Sequence, residues 1–557
     1  MNLLDRFINI PENATYDQMK DYRVSVPDNF NFAYDVVDVY ARECPEKKAL
    51  VWCDDNDGDE TFTFLEVSRW SKKAANFFVS KGIKKGDRVM LFLRRRYEFW
   101  WIILALHRIG AIAIPATTQL LSEDIVYRNN SADIKMIVAV DDGMIQQNVE
   151  EAMIKSPSVE CLVSVQGARE GWVDFHKELE SCSSEFDRPI GDKATHNDDT
   201  MLLYFTSGTS GYPKMVMHNF TYPLGHIVTA KFWQHVQDDG LHLSVAETGW
   251  GKAVWGKIYG QWIAGSCVFV YDMRAFAPDL FFKKISTYRV TTFCAPPTVY
   301  RFLIRQDLTK YDISYLKYCV TAGEALNAEV YNKFYEKTGI KMFEGYGQTE
   351  TAIIAGNFPG MEPKPGSMGK PAPGYDVEIV DELGNRCEPM QTGRIVIHLE
   401  RGKPLGLFSG YYRNEDQTIA ALSGPVYDTG DTAYYDEDGY IWFVGRSDDI
   451  IKSSGFRISP FEVESVLQQH PSVLECAVTG VFDASRGQLV KATIVLNKGY
   501  SPSKELEIEI KTFVKEHLAV YKIPRMVEFV DELPKTISGK IRRVEIRQKD
   551  AQNTNEV

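Results

Sequence analysis

The 557-residue chain predicts an α/β protein of several packing units: a large N-terminal region of layered sheets that includes a β-rich unit, then a small α+β C-terminal domain. Three observations support this. The length exceeds what one hydrophobic core fills; at roughly 100–200 residues per domain, about three or four units are expected. Short apolar strands alternate with amphipathic helices along most of the chain, as in layered α/β architectures. After about Gly374 the texture changes to short strands separated by turn residues.

Taken in order, Asn31–Glu43 has helical period and precedes the strand-like Ala49–Trp52. Leu65–Ser80 returns to helical period, and Arg88–Leu93 reads as a buried strand. Met136–Val140 and Ser266–Val270 are later strands. Val377–Val380, Gly393–Ile397 and Tyr440–Val444 form the β-rich unit, about residues 375–445. The polar, acidic stretch Arg446-Ser447-Asp448-Asp449-Ile450 reads as an interdomain hinge, although composition also allows a surface loop within one domain. Beyond it come helix Pro460–His470, strands Leu474–Val481 and Leu489–Leu496, helix Ser503–His517 and strand Met526–Val530. That is about a hundred residues, enough to fold alone. The expected partition is therefore 1–445, a hinge at 446–450, and 451–557.

Sixty-three Lys and Arg against 76 Asp and Glu give a net charge of −13. That balance argues against a general nucleic-acid binder, which needs a concentrated basic surface, but leaves an anionic small molecule open. Nine scattered Cys show no metal-ligand spacing and read as reduced core thiols. The first residues, MNLLDRFINIPENATYD, carry acids early and lack a basic region followed by an apolar run. The most apolar segment, Trp100–Leu106, meets His107 and Arg108 too soon to span a bilayer. The expectation is a cytoplasmic protein without an integral membrane segment.

Tyr204-Phe205 ends a strand-like run and leads into Thr206-Ser207-Gly208-Thr209-Ser210-Gly211-Tyr212-Pro213-Lys214. Gly lets consecutive backbone N–H groups face one anion, the hydroxyls add donors, and Lys214 brings a mobile positive charge. The spacing is not GxxxxGK[ST]. Composition alone also allows an ordinary flexible turn here.

Four further blocks accompany this one: Gly345-Tyr346-Gly347-Gln348-Thr349-Glu350, Tyr427-Asp428-Thr429-Gly430-Asp431, Gly445-Arg446-Ser447-Asp448-Asp449-Ile450-Ile451-Lys452, and Pro534-Lys535-Thr536-Ile537-Ser538-Gly539-Lys540. In order and separation the five resemble the signatures of the adenylate-forming superfamily of acyl-CoA synthetases, peptide-synthetase adenylation domains and firefly-type luciferases. The resemblance covers nearly the whole chain and implies a large N-terminal region with a mobile C-terminal domain. It also implies ATP, Mg²⁺ and coenzyme A as cosubstrates, with a carboxylic acid made into acyl-AMP and passed to the CoA thiol.

By the same resemblance, Tyr346 stacks on adenine, Gly323-Glu324-Ala325 lines it, Thr349 contacts the α-phosphate, and Glu350 holds the metal. A hard carboxylate suits Mg²⁺. Gly345 and Gln348 belong to the same nucleotide block. Asp431 would accept hydrogen bonds from both ribose hydroxyls, and Arg446 would also reach the nucleotide. Lys540 would bridge the attacking carboxylate and the phosphoryl oxygens as charge develops. Asp448 matches the hinge, and Ser454, Gly455 and Arg457 would come to the CoA channel. Arg457 has two readings, a CoA phosphate contact or a domain-interface ion pair. His218 reads as an orienting residue or a helix-cap contact, and His226 as packing.

The acyl site is expected around Trp250 and Gly347. In acetyl-specific relatives a Trp precedes the Gln-Thr-Glu triplet and closes the pocket floor; Gly347 stands there in this chain. An opened apolar floor gaining about 0.8 kcal/mol per buried methylene favours longer or branched acids. The chain thus looks closest to medium-chain or branched-chain acyl-CoA synthetases, with benzoate-like acids also open. Loading of a carrier-protein phosphopantetheine or an amine is the rival reading, and a homo-oligomer is left open.

Overall fold

The computed structural model describes residues 3–11, 14–19, 22–206, 213–324, 326–483, 485–535 and 541–555. Contacts divide the chain into two compact units. Residues 1–208, 212–377 and 398–427 form the first, and 378–397 with 428–557 the second. The division by compactness thus groups most of the β-rich strands with the C-terminal residues.

The first unit is built on two sheets. One has nine strands in the order 370–371, 353–356, 342–347, 318–321, 292–295, 241–244, 267–272, 48–54 and 59–63. Its six strands from 342–347 to 48–54 run parallel. The other has eight, ordered 410–411, 214–219, 200–206, 112–115, 88–92, 134–139, 161–164 and 173–174. Parallel strands need crossover helices, and the helical segments between them supply these.

Helix Phe64–Ser80 starts at a capping box: Glu66 N donates to Thr63 Oγ1 and Thr63 N to Glu66 Oε2. The apolar Trp100–Leu106 segment lies in helix Glu98–Ile109, every residue of which is buried. Its one arginine, Arg108, is buried against Asp38, with Nη1–Oδ2 2.8 Å and Nη2–Oδ1 2.6 Å. Burial works against the Asp38 carboxylate, but the Arg108 hydrogen bonds outweigh it and hold its pKa below the usual value. Among the described residues no helix is long and apolar enough to cross a membrane.

The second unit carries a four-stranded sheet, 377–380, 393–398, 426–435 and 441–446, and a five-stranded one, 456–458, 451–453, 487–496 and 473–483 with 526–529 beside 487–496. Helices Pro460–Leu467 and Lys504–His517 cover the latter, burying Val463, Leu467, Ile510 and Val514 against Cys476 and Ile494. The architecture is the expected one, a layered α/β region and a smaller α+β domain. All nine cysteines are free of disulfides, six of them buried.

Local differences have physical causes. The 31–43 segment begins with a π-helical turn, Ala33–Val37, before α-helix Asp38–Glu43. The polar C-terminal residues form helix Arg543–Asn555. Ion pairs from Arg543 to Glu464 and from Arg547 to Asp449 anchor this polar helix, so apolar periodicity could not reveal it.

Candidate active site

Strands Thr200–Thr206 and Lys214–Asn219 form a hairpin in which Thr206 stands opposite Lys214. Thr206 and Lys214 therefore sit side by side where the Ser/Thr/Gly segment leaves and rejoins the sheet. Ser207, Gly208, Thr209, Ser210 and Gly211 lie outside the described residues, as do Ala325 and Lys540. The short strand Gly410–Tyr411 pairs onto the hairpin, Tyr411 opposite Val216. Lys214 Nζ lies 4.9 Å from the centroid of the Tyr411 ring.

The Gln-Thr-Glu triplet forms a turn pinned from several elements. Gln348 N donates to Thr351 Oγ1 (2.9 Å) and Thr351 N to the Gln348 carbonyl (3.2 Å). Tyr427 donates its hydroxyl to Gln348 Oε1 (3.1 Å). His218 Nε2 donates to the Thr349 carbonyl (2.8 Å), and Phe408 N to the Glu350 carbonyl (2.7 Å). The Tyr411 hydroxyl donates to Glu350 Oε1 (3.2 Å). Thr349 and Glu350 are thus fixed in backbone and, for Glu350, in side chain.

This turn follows strand Met342–Gly347, whose parallel neighbour Tyr318–Thr321 leads into Gly323 and Glu324. Two strands further on, Leu241–Ser244 leads to Trp250. The carboxyl ends of parallel strands of one sheet therefore lead into the 323–324, 345–350 and 247–250 segments, the usual place for ligands in α/β sheets. A Cβ on Gly251 would lie 3.4 Å from Thr349 Cγ2, which sets the Trp250–Gly251 peptide beside the turn. Gly323 has φ +104° and faces Lys252, whose ammonium donates to the Ala322 carbonyl. Glu324 is exposed and accepts from Thr298 N (2.7 Å). Tyr346 is partly exposed on its strand end. A Cβ on Gly345 would meet Trp233 at 2.6 Å, so only glycine allows that approach.

Gly347 is closely packed. A Cβ there would fall 2.4 Å from Trp255 Cη2 and 2.4 Å from the Ala352 carbonyl oxygen, so the space directly beside residue 347 is occupied. Trp255 belongs to helix Gly251–Gly256.

Two buried titratable groups adjoin the site. Burial pushes the His218 pKa down to about 3, so the imidazole is neutral. With Nε2–H on a carbonyl, its proton sits on that nitrogen. The ring stacks on Tyr222 at 3.7 Å between centroids, and His226 is likewise buried, its Nδ1 3.2 Å from Thr229 Oγ1. Glu344, one residue before Gly345, is pushed up to about 8 by burial. Its Oε1 accepts from Leu326 N (3.2 Å) while Oε2 has no partner among the described residues.

In the second unit, Asp431 and Arg446 face each other across the strand pair 426–435 and 441–446. Asp431 is 7% exposed, and Arg446 Nε donates to Asp448 Oδ1 (3.1 Å). Ser454 (φ +52°) and Gly455 (φ +84°) form the two-residue loop of hairpin 451–458. Both residues are left-handed, as a type I′ turn requires. No atom lies within 4 Å of where a Gly455 Cβ would be, so turn geometry is what calls for glycine within the chain itself. Arg457 pairs with Glu382.

The described residues contain no group of three or more His, Cys, Asp or Glu able to hold a metal by themselves. A single carboxylate at Glu350, oriented by Tyr411, fits an ion that takes most ligands from phosphate and water, as Mg²⁺ does. Tyr411, Trp255, Lys252 and Glu344 escaped the sequence reading. Tyr411, Trp255 and Lys252 reach the site through strand pairing or packing, and Glu344 stands just ahead of the 345–350 block.

The Thr206–Lys214 hairpin, the pinned Thr-Glu turn and, in the second unit, the cross-strand Asp–Arg pair accord with an adenylate-forming enzyme. The AMP-binding enzyme family matches residues 37–412, and the AMP-binding enzyme C-terminal domain matches residues 462–540. The chain belongs to this family. It is 42% identical over 552 residues to the mitochondrial acyl-coenzyme A synthetase ACSM3 of Homo sapiens, covering 97% of this chain and 93% of that one. An anthranilate CoA ligase, AuaEII, solved with anthranoyl-AMP, superposes with a TM-score of 0.85 at 29% identity over 95% and 99% of the two chains. A benzoate CoA ligase from Burkholderia xenovorans LB400 does so with a TM-score of 0.79 at 26% identity over 93% and 100%. The chain is an ATP-dependent acyl-CoA ligase working through an acyl-AMP.

The cytoplasmic expectation is corrected by these relatives, since the ACSM3, ACSM4 and ACSM5 enzymes are mitochondrial by name. Compartment is set by receptor-read addresses, which the composition of a catalytic domain does not express.

Proposed function

We propose that the acid is medium-chain, branched or aromatic, bound against Trp250, Gly347 and Trp255 with its carboxylate beside Thr349. The observation that carries this is the Gln348–Thr351 turn, fixed next to Trp250–Gly251 at the carboxyl ends of parallel strands. The Trp255 indole bounds the site where Gly347 alone would have left it open, which supports a compact acid over a long linear one. The anthranilate and benzoate specificities in the names of two solved relatives accord with that size.

Thr206, Ser207, Gly208, Thr209, Ser210, Gly211 and Lys214 hold the triphosphate, and Thr349 the α-phosphate. Tyr346, Gly345, Gln348, Gly323, Glu324 and Ala325 hold adenine and its surroundings, and Asp431 with Arg446 the ribose side. Glu350 holds Mg²⁺, which when bound neutralises charge on the departing pyrophosphate. Lys540 meets the carboxylate and the α-phosphoryl oxygens as they join, then withdraws with residues 451–557 by rotation at Asp448. Ser454, Gly455 and Arg457 then approach the CoA thiol, which attacks the acyl carbon as AMP leaves. Positioning and fixed charge carry both steps, so no side-chain nucleophile is needed.

Acid-dependent pyrophosphate exchange across straight acids from acetate to decanoate, 2-methyl acids and benzoates, followed by CoA addition, tests the reading. A kcat/KM maximum at medium-chain, branched or aromatic acids is expected; a maximum at acetate or decanoate would overturn the acid class.

A further inference from the structure

Tyr411 lies outside every block that carries the family resemblance, yet it touches both charged partners of the triphosphate. Its hydroxyl donates to Glu350 Oε1 at 3.2 Å, and its ring lies under the Lys214 ammonium at 4.9 Å. The residue is 8% exposed and its backbone is fixed on both sides. Tyr412 N donates to the Met215 carbonyl (2.8 Å) and Ser409 N to the Met217 carbonyl (2.7 Å). Tyr411 N donates to Thr418 Oγ1 (2.9 Å), and Phe408 packs on the ring at 4.9 Å. Phe408 N itself donates to the Glu350 carbonyl (2.7 Å). The 408–411 segment thus grips Glu350 by backbone and side chain while pairing with the strand that begins at Lys214.

We infer that Tyr411 is a positioning residue for adenylation: one phenol fixes the carboxylate that faces the metal and the ammonium that faces the phosphates. The ring lies beneath one and the hydroxyl bonds the other, so a single side chain bears on both charges at once. Partners that orient a metal-binding carboxylate typically matter about 10–100-fold in metal affinity. The inference rests on the reading of Glu350 and Lys214 given above.

The test titrates Mn²⁺ into full-length protein saturated with a non-cleavable ATP analogue, without acid, and follows free Mn²⁺ by electron paramagnetic resonance. Tyr411→Phe keeps the ring and loses the hydroxyl; about tenfold weaker Mn²⁺ binding is expected, with thioester formation from supplied acyl-AMP unchanged. Tyr411→Leu should in addition raise the KM for ATP about threefold, because the ring beneath Lys214 is gone. Glu350→Gln is the control for the underlying reading. If it weakens Mn²⁺ binding and Tyr411→Phe does not, the Tyr411 inference is overturned alone. If Glu350→Gln has no effect, both fall. Equal damage to both half-reactions in Tyr411→Phe, with a lowered thermal midpoint, would reduce Tyr411 to packing and also overturn the inference.

Discussion

The Trp255 indole occupies the place a side chain at residue 347 would need, with Trp255 Cη2 2.4 Å from the position of a Gly347 Cβ. The Ala352 carbonyl oxygen is as close and belongs to backbone, which yields less readily than a side-chain tip. Gly347→Ala should therefore cost about 1–3 kcal/mol through overpacking, lowering the thermal midpoint and the activity on every acid alike. Trp255→Leu should instead open the site. The kcat/KM ratio of octanoate to butyrate is expected to rise about tenfold or more; an unchanged ratio would remove Trp255 from the acyl wall.

Position 347 also shows where sequence reasoning stops. That glycine was legible as a missing indole because it sits inside a contiguous block. What fills the vacated space is a packing property set by helix Gly251–Gly256, and close-packed interiors rarely leave such a volume empty. The same holds for Tyr411, 61 residues from Glu350 in sequence and brought within hydrogen-bonding reach of it only by the fold. By contrast, Asp431 and Arg446 were readable separately, and the antiparallel register of their strands then brought them together. Strands 48–54, 88–92, 134–139 and 267–272 were legible because buried runs of apolar residues announce themselves, whereas the short strands at the sheet edges and helix Arg543–Asn555, held by ion pairs, do not.

His218 holds the Thr349 carbonyl with a neutral ring. His218→Ala leaves that acceptor unpaired, a loss of about 1–3 kcal/mol, so pyrophosphate exchange should fall by about one to two orders of magnitude. His218→Asn, which can still donate, should recover part of it. Because burial keeps the folded imidazole at about 3 against 6.5 unfolded, it takes up no second proton near neutrality. Its stability contribution is present above about 6.5 and is lost as pH falls toward 3. The pH profile of exchange from 6 to 9 should keep its shape in His218→Asn; disappearance of an inflection would mean that the ring titrates in the working range.

Glu344 runs the other way. Its unfolded carboxyl ionises near 4.5, while burial keeps the folded one protonated up to about 8. Between those values the native state binds the extra proton, so stability is greatest at the acid end and falls as pH rises toward 8. Glu344→Gln removes the titration while keeping an acceptor for Leu326 N. The gap in thermal midpoint between variant and parent should therefore widen in the variant's favour from pH 5 to pH 8. A constant gap across that range would place the Glu344 titration elsewhere.

Lys540 carries the sharpest division between the two half-reactions. In adenylation two anions meet and negative charge grows on the phosphoryl oxygens, so a fixed cation stabilises the transition state more than the separated reactants. In thioester formation the attacking group is a thiol and the leaving group is AMP, and the residues expected nearby are Ser454, Gly455 and Arg457. Lys540→Ala should lower acid-dependent pyrophosphate exchange by at least about 10²–10³-fold, while conversion of supplied acyl-AMP and CoA to acyl-CoA stays within a few-fold of the parent. Lys540→Arg keeps the charge on a bulkier, planar group and should recover exchange only partly. Both half-reactions falling together would mean that the loop serves the whole enzyme rather than the first step, and the rotation at Asp448 would lose its reason.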